Sequence, residues 1–185
     1  MISPITKFLL EVGKLKKVKR TGWLLKGISS PESVAEHSFR VAVMAMTLSE
    51  GRDLDRFYLL KMALIHDIAE SITTDLVWEH GKISDLEKLK SKHQKELKSA
   101  KEIISGLSSE EDYFVIIDDY INRRSQEAKF LKEIDKLEMA IQTLEYEEVA
   151  GGSLDEFWEN VEKYLKDEQL VGILGELKSI RKKTT

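Results

Sequence analysis

A histidine and an aspartate stand side by side in LLKMALIHDIAE, residues 59–70, where most neighbours are apolar. Apolar side chains surround this stretch at helical spacing, so the helix is expected to be buried on most sides. A buried carboxylate without a partner is very costly, so Asp67 there needs a partner, a hydrogen bond or a metal ion. Glu70 follows His66 by four residues and Asp67 by three, which sets all three within about 100° of one helix surface. Two readings stand. Either a helix ends here and His66 and Asp67 emerge into solvent, or the group forms a buried site that can hold a cation. For Glu70 the plain alternative is an exposed ion pair with a lysine such as Lys82.

A second histidine shifts that balance. His37 lies in SPESVAEHSFRVAVMAM, just inside a helix that Ser33 and Glu36 would open as a reciprocal capping box. Glu36 is read as that cap. His37 alone would be a satisfied core residue, since it begins an apolar helix with Phe39, Val41, Val43, Met44 and Met46. Two histidines and an aspartate on neighbouring helices, each beside a buried run, favour metal binding. Imidazole with carboxylate suits a borderline divalent ion such as Mn, Fe, Co, Ni or Zn. Farther on, AKFLKEIDKLEMAIQTLEYEE carries an apolar stripe of Leu131, Ile134, Leu137, Ile141 and Leu144, with Asp135 at its shoulder. By spacing alone Asp135 is the solvated edge of an amphipathic helix. His80 and His93 sit among charges and read as surface residues.

The elements that must position these residues are helical. Pro4 and Pro31 are the two prolines, glycines fall singly at element ends, and no alternating segment argues for a sheet. Capping boxes are expected at Ser33/Glu36, Ser84/Glu87, Ser108/Glu111 and Ser153/Glu156. The reading is six to eight helices: 4–17, 33–49, 53–69, 84–105, 108–120, 126–149, and one or two over 153–182. Loops cover 18–31 and 70–82. Phe157, Trp158 and Tyr164 fall on or near an inner stripe and read as packing or a subunit interface. The fold class is all-α, a single-domain multi-helix bundle over 1–185. Its C-terminal helices, 153–182, pack on the rest or at a subunit interface.

Composition limits the function. The 185 residues are 42% hydrophobic and 34% charged, which disfavours intrinsic disorder. With no Cys there are no disulfides, thiolate ligands or Cys nucleophile, which suits a reducing, cytoplasmic location. The longest charge-free run is nine residues, 41–49, far short of the ~20 that span a bilayer. MISPITKFLLEVGK does not read as a signal peptide. A net charge of −4 argues against binding a nucleic-acid polymer. Most of Lys14, Lys16, Lys17, Lys19, Arg20 and Lys26 read as a solvated helix end. No P-loop, dinucleotide fingerprint or serine elbow is present.

His37, the pair His66-Asp67 and the distant Asp135 resemble the H…HD…D pattern of the HD-domain metal-dependent phosphohydrolases. The segments RTGWLLKGISSPESVAEHSFRVAVMA, ALIHDIAESITTD and FLKEIDKLEMAIQTLEY are similar to the 5′-deoxynucleotidase branch, over roughly 8–146. The resemblance implies an HD-domain bundle and metal ligation by His37, His66, Asp67 and Asp135. It implies catalytic or substrate-contacting carboxylates at Glu70 and Asp75, and a divalent ion: Mn, Co, Ni, Zn, Fe or Mg. Trp23 matches the family tryptophan that packs on the sugar and favours deoxyribose. Family members place Arg directly before that Trp, whereas RTGW puts Gly22 there and Arg20 three positions earlier, as the candidate phosphate contact. A small deoxynucleotide substrate and a homodimer follow from the same resemblance. The competing functions are an HD hydrolase of cyclic nucleotides, triphosphates or guanosine tetraphosphate, and a non-enzymatic helical binding module.

Overall fold

The computed structural model describes residues 2–75, 86–148 and 153–184, and among these described residues ten helices follow one another. They are α1 Pro4–Lys14, α2 Thr21–Leu25, α3 Val34–Leu48, α4 Arg56–Ile65, α5 Glu70–Thr73, α6 Leu86–Ile104, α7 Glu110–Asn122, α8 Gln126–Glu147, α9 Asp155–Tyr164 and α10 Glu168–Thr184. Among the described residues no strand forms, only one isolated bridge between Lys19 and Ser33. The all-α expectation is met, with more and shorter helices than the six to eight expected. The box expected at Ser84/Glu87 and the reading of His80 fall outside the described residues.

The long helix α8 is the spine. It packs against α3, α4, α7, α9 and α10, while α6 lies on α7, α5 and α1. Its inner residues Leu131, Ile134 and Leu137 are fully buried, with Val41 of α3, Leu59 and Met62 of α4, and Ile116 and Ile117 of α7. Each such side chain contributes roughly 1.5–3 kcal/mol of burial. This aliphatic centre holds α3, α4 and α8 in register, and one end of their shared interface carries the polar residues described below.

Local chemistry decides where helices start and stop. Ser33 caps α3 as expected: its hydroxyl accepts from the Glu36 N–H, and the Glu36 carboxylate accepts from the Ser33 N–H at 2.6 Å. The boxes expected at Ser108 and Ser153 do not form; α7 and α9 start at other residues without a side-chain cap bond. Ser153 instead turns its hydroxyl to Asp155. Within the expected loop 18–31 the short helix α2 forms. It ends because Gly27 adopts φ +81°, letting the N–H of Ile28 return to the Trp23 carbonyl at 3.1 Å.

The helix expected over 53–69 stops at Ile65, and 66–69 continue as tight turns before α5 begins at Glu70. Two N–H groups there reach back only three residues, Ile68 to Ile65 and Glu70 to Asp67. Nor is α4 buried on most sides. Leu59, Met62 and Ala63 face the core, but Phe57 and Leu64 are exposed, as are Phe39, Val43 and Met46 of α3.

Candidate active site

Three parts of the fold converge on one cluster. The first turn of α3 supplies His37, the break between α4 and α5 supplies His66, Asp67 and Glu70, and the middle of α8 supplies Asp135. His37 and His66 are buried, with ring centroids 5.5 Å apart. His37 Nε2 lies 3.2 Å from Asp135 Oδ1 and 3.8 Å from Asp67 Oδ2, and His66 Nε2 lies 3.2 Å from Asp67 Oδ2. Donor atoms of His37, His66 and Asp67 all fall within 4.8 Å of one another. Asp135 therefore faces inward, not into solvent as its spacing suggested.

The far sides of both rings are anchored. His66 Nδ1 donates to the Ala63 carbonyl at 2.8 Å, so in the neutral ring Nε2 keeps its lone pair. His37 Nδ1 is hydrogen-bonded to Glu138 Oε2 at 2.7 Å. Both Nε2 atoms are buried and make no hydrogen bond. Buried polar atoms are nearly always paired, so two orphaned nitrogens facing two carboxylates fit a divalent cation. Burial and Arg20 oppose a proton on His37, yet Glu138 and Asp135 outweigh them and push the imidazole up to about 10. The same negative surroundings that draw that proton draw a cation. Burial would raise Asp67, but His66, His37 and Arg20 hold it well below the usual carboxylate range. Asp135 is likewise held low by His37, Lys136 and Lys132 against its burial.

Around this centre lie the remaining sequence candidates. Arg20, the residue before α2, reaches Asp67 Oδ2 at 3.4 Å and also faces the charges of Asp75, Asp135 and Glu70. Asp75 anchors the start of α2: its Oδ2 accepts from the Thr21 N–H at 2.6 Å, and its carbonyl accepts from the Thr21 hydroxyl. The preceding Thr74 adopts φ +60°, a conformation rare for a β-branched residue. Glu70 is 7% exposed, and its buried Oε2 lacks a hydrogen bond. Burial, then Asp67 and Asp75, raise its pKa well above the ordinary carboxylate value. That burial removes the exposed ion pair as an account of Glu70; Lys82 lies outside the described residues.

Trp23 stands one layer back. It is 3% exposed, its ring 4.4 Å from that of Phe157 and 5.1 Å from that of Tyr146. Its indole N–H donates to Glu32 Oε1 at 3.1 Å. Glu32, His37 and Glu138 form a second close group, and Glu32 is pushed up to about 7 by burial and by Glu138. Trp23 thus communicates with the centre through Glu32. As expected, Phe157 and Trp158 are packing residues.

Sequence reasoning missed Glu138, Glu32, Tyr120 and Lys132. For Glu138 there was a signal: it follows Ile134 by four and Leu131 by seven, so an acid occupies a core slot. Tyr120 of α7 lies with its ring 5.0 Å from His66, and its hydroxyl donates to Asp135 Oδ2 at 3.4 Å. Lys132 sits 3.6 Å from the Tyr120 ring centroid, where burial pushes its ammonium down to about 8. His93 is half-buried rather than on the surface, and burial and the nearby Lys132 and Lys92 lower its pKa.

Comparison with known proteins adds to this geometry. The HD domain family model matches residues 12–171. The chain is 37% identical over 180 residues to 5′-deoxynucleotidase HDDC2 of Danio rerio, covering 95% of this chain and 86% of the relative. It is 33% identical over 181 residues to 5′-deoxynucleotidase HDDC2 of Homo sapiens, covering 96% and 86%. A conserved hypothetical protein from Pyrococcus furiosus superposes with a TM-score of 0.76 at 35% identity, over 93% of this chain and 98% of that one.

Proposed function

The chain belongs to the HD domain family, and from that premise we propose that it hydrolyses deoxyribonucleoside 5′-monophosphates to deoxynucleoside and phosphate. The ligands of its divalent ion are His37, His66, Asp67 and Asp135. The observation that carries this reading is the pair of buried, unbonded Nε2 atoms facing the two aspartates. A bound divalent ion supplies Lewis-acid polarisation of the phosphoryl group and a more acidic water. The remaining work falls to side chains. Glu70, made a stronger base by its burial and by the neighbouring Asp67 and Asp75, takes a proton from the attacking water. Arg20 offers a guanidinium fork to the phosphate. Asp75, tied to α2, assists the leaving 5′-oxygen or binds the sugar. Trp23, one layer behind the centre, limits the space beside C2′ by backing the wall that Glu32 belongs to, which favours deoxyribose.

The whole chain is read as one domain over 1–185, supported by α9 and α10 packing on α8. Two copies pair as a homodimer in this reading, supported by exposed Phe39, Val43, Met46, Phe57 and Leu64. No described helix is long and apolar enough to cross a membrane. The lack of Cys supports a cytoplasmic location.

The test is phosphate release from deoxy- and ribonucleoside mono- and triphosphates and cyclic nucleotides, run with several divalent ions. Deoxynucleoside monophosphates should react fastest, and Trp23→Ala should narrow their advantage over ribonucleotides. Faster release from a triphosphate or cyclic nucleotide, or no release with any ion, refutes the reading. If Trp23→Ala lowers both rates equally, Trp23 only packs.

A further inference from the structure

Lys132 has no role in the chemistry described so far, and its surroundings are unusual for a lysine. It lies on α8 three residues before Asp135, so both project from the same side of the helix. Its stem is half-buried, and its ammonium rests 3.6 Å from the Tyr120 ring centroid. Tyr120 in turn touches both Asp135 and His66. Among the described residues no carboxylate oxygen pairs with the Lys132 ammonium, although it feels the charges of Asp135 and Asp67. The neighbouring cations are already placed elsewhere: Lys136 and Arg123 both lie over the Tyr164 ring, at 5.9 and 5.5 Å.

An ammonium carries three donors. Cation–π contact with Tyr120 fixes its position, typically for about 0.5–2 kcal/mol, without using a lone-pair acceptor. The donors therefore remain available at the edge of a centre crowded with acids. A phosphate monoester dianion entering there meets Asp67, Asp75, Asp135 and Glu70. Arg20 counters them from the α2 side, against Asp67. Lys132 stands on the α7–α8 side, next to Asp135.

We propose that Lys132 is a second cationic contact for the substrate phosphate, held ready on the face of Tyr120 and acting opposite Arg20. This rests on the phosphomonoesterase reading above. The occupant is a tetrahedral phosphate, as part of the nucleotide before reaction and as the free anion after it.

Lys132→Met keeps most of the stem over Tyr120 and removes the charge, while Lys132→Arg keeps the charge. Inorganic phosphate is titrated calorimetrically into the manganese-loaded protein, with manganese affinity measured separately. Lys132→Met should weaken phosphate binding by about tenfold or more, the size of one charged hydrogen bond, with manganese affinity unchanged. Lys132→Arg should recover part of the loss, and KM for 2′-deoxyadenosine 5′-monophosphate should rise in the same order. Wild-type phosphate affinity in Lys132→Met overturns the proposal. So does a matching loss of manganese affinity, because Lys132 is then only a counter-charge for Asp135. A wild-type protein that binds phosphate but releases none from any nucleotide defeats the enzymatic reading, and the titration still decides Lys132.

Discussion

Two buried polar groups, one at the α7–α8 turn and one where α3, the α4–α5 break and α8 meet, obey different rules. Asp119, near the end of α7, uses every oxygen: Oδ1 accepts from the N–H groups of Arg124 and Ser125 at 3.1 and 2.9 Å, and Oδ2 accepts from the Tyr58 hydroxyl at 2.9 Å. It closes the α7–α8 turn, where Arg123 takes φ +54°, and ties it to α4. The His37–His66 cluster is as well buried, but His37 Nε2, His66 Nε2 and Glu70 Oε2 have no hydrogen-bond partner. Completed networks stabilise a fold, whereas leaving a buried polar atom unmet costs roughly 1–3 kcal/mol. In the proposed reading, a bound ion, water and substrate complete the second arrangement.

The largest effect expected from that contrast is at Asp135. Asp135→Ala removes a carboxylate 3.2 Å from His37 Nε2, so metal retention should fall steeply and turnover by about 10³-fold or more. The protein should remain helical, as measured by circular dichroism. Unchanged metal content, measured by elemental analysis, would remove Asp135 from the centre. Glu70→Gln comes next. The amide keeps the shape but cannot accept a proton, so turnover should drop by about 10²–10⁴-fold with metal content close to wild type. Because the Glu70 pKa is raised, the wild-type rate should climb as pH rises through it, and the Gln variant should lose that limb. Full activity in Glu70→Gln sinks the catalytic role; lost metal makes Glu70 a ligand.

Glu138 tests the anchoring beneath the centre. A carboxylate on the far nitrogen fixes a ligating ring's orientation and tautomer, and removing such a partner typically costs 10–100-fold in metal affinity. Glu138→Leu should show about that loss by competition with a metal chelator. Glu138→Gln should recover much of it, since its amide oxygen can still accept from His37 Nδ1. Equal affinity in all three proteins would make the 2.7 Å contact incidental.

How far this was readable from the sequence varied with the range of the interaction. The Ser33/Glu36 box and the apolar stripe of α8 are local patterns, and both formed where expected. The break after Ile65 was not readable, because LLKMALIHDIAE keeps helical spacing straight through it and carries no Gly or Pro to mark a stop. Nor was α2, which is too short to show periodicity and depends on Asp75, distant in sequence, for its first N–H bond. Asp135 read as a solvated edge because its partner His37 lies on another helix, and only the family pattern marked it. Glu138 and Lys132 flank Asp135 on α8, and their meaning comes from what faces them.

The smallest effect on chemistry, and the sharpest control, belongs to Asp119. Asp119→Ala strands the Ser125 N–H and the Tyr58 hydroxyl and leaves the Arg124 N–H only its 3.4 Å bond to the residue 119 carbonyl, so stability to urea should fall by about 2 kcal/mol. Turnover of the folded protein should not change. The pH dependence separates this carboxylate from a mere packing defect. Burial alone would raise the Asp119 pKa, but bonds from Ser125, Tyr58 and Arg124 outweigh it and leave the pKa below the ordinary value. A depressed folded pKa means the unfolded chain binds the proton more tightly. The contribution is therefore fully present above the unfolded pKa, about 4, and is lost as pH falls through the folded one. The gap in stability between wild type and Asp119→Ala should be widest near neutrality and narrow below about pH 4. A gap that stays constant into acid would mean the loss is one of shape, not of charge-assisted hydrogen bonds. A fall in turnover matching that of Asp135→Ala, measured well below the unfolding midpoint, would erase the distinction between a completed network and one left open for a ligand.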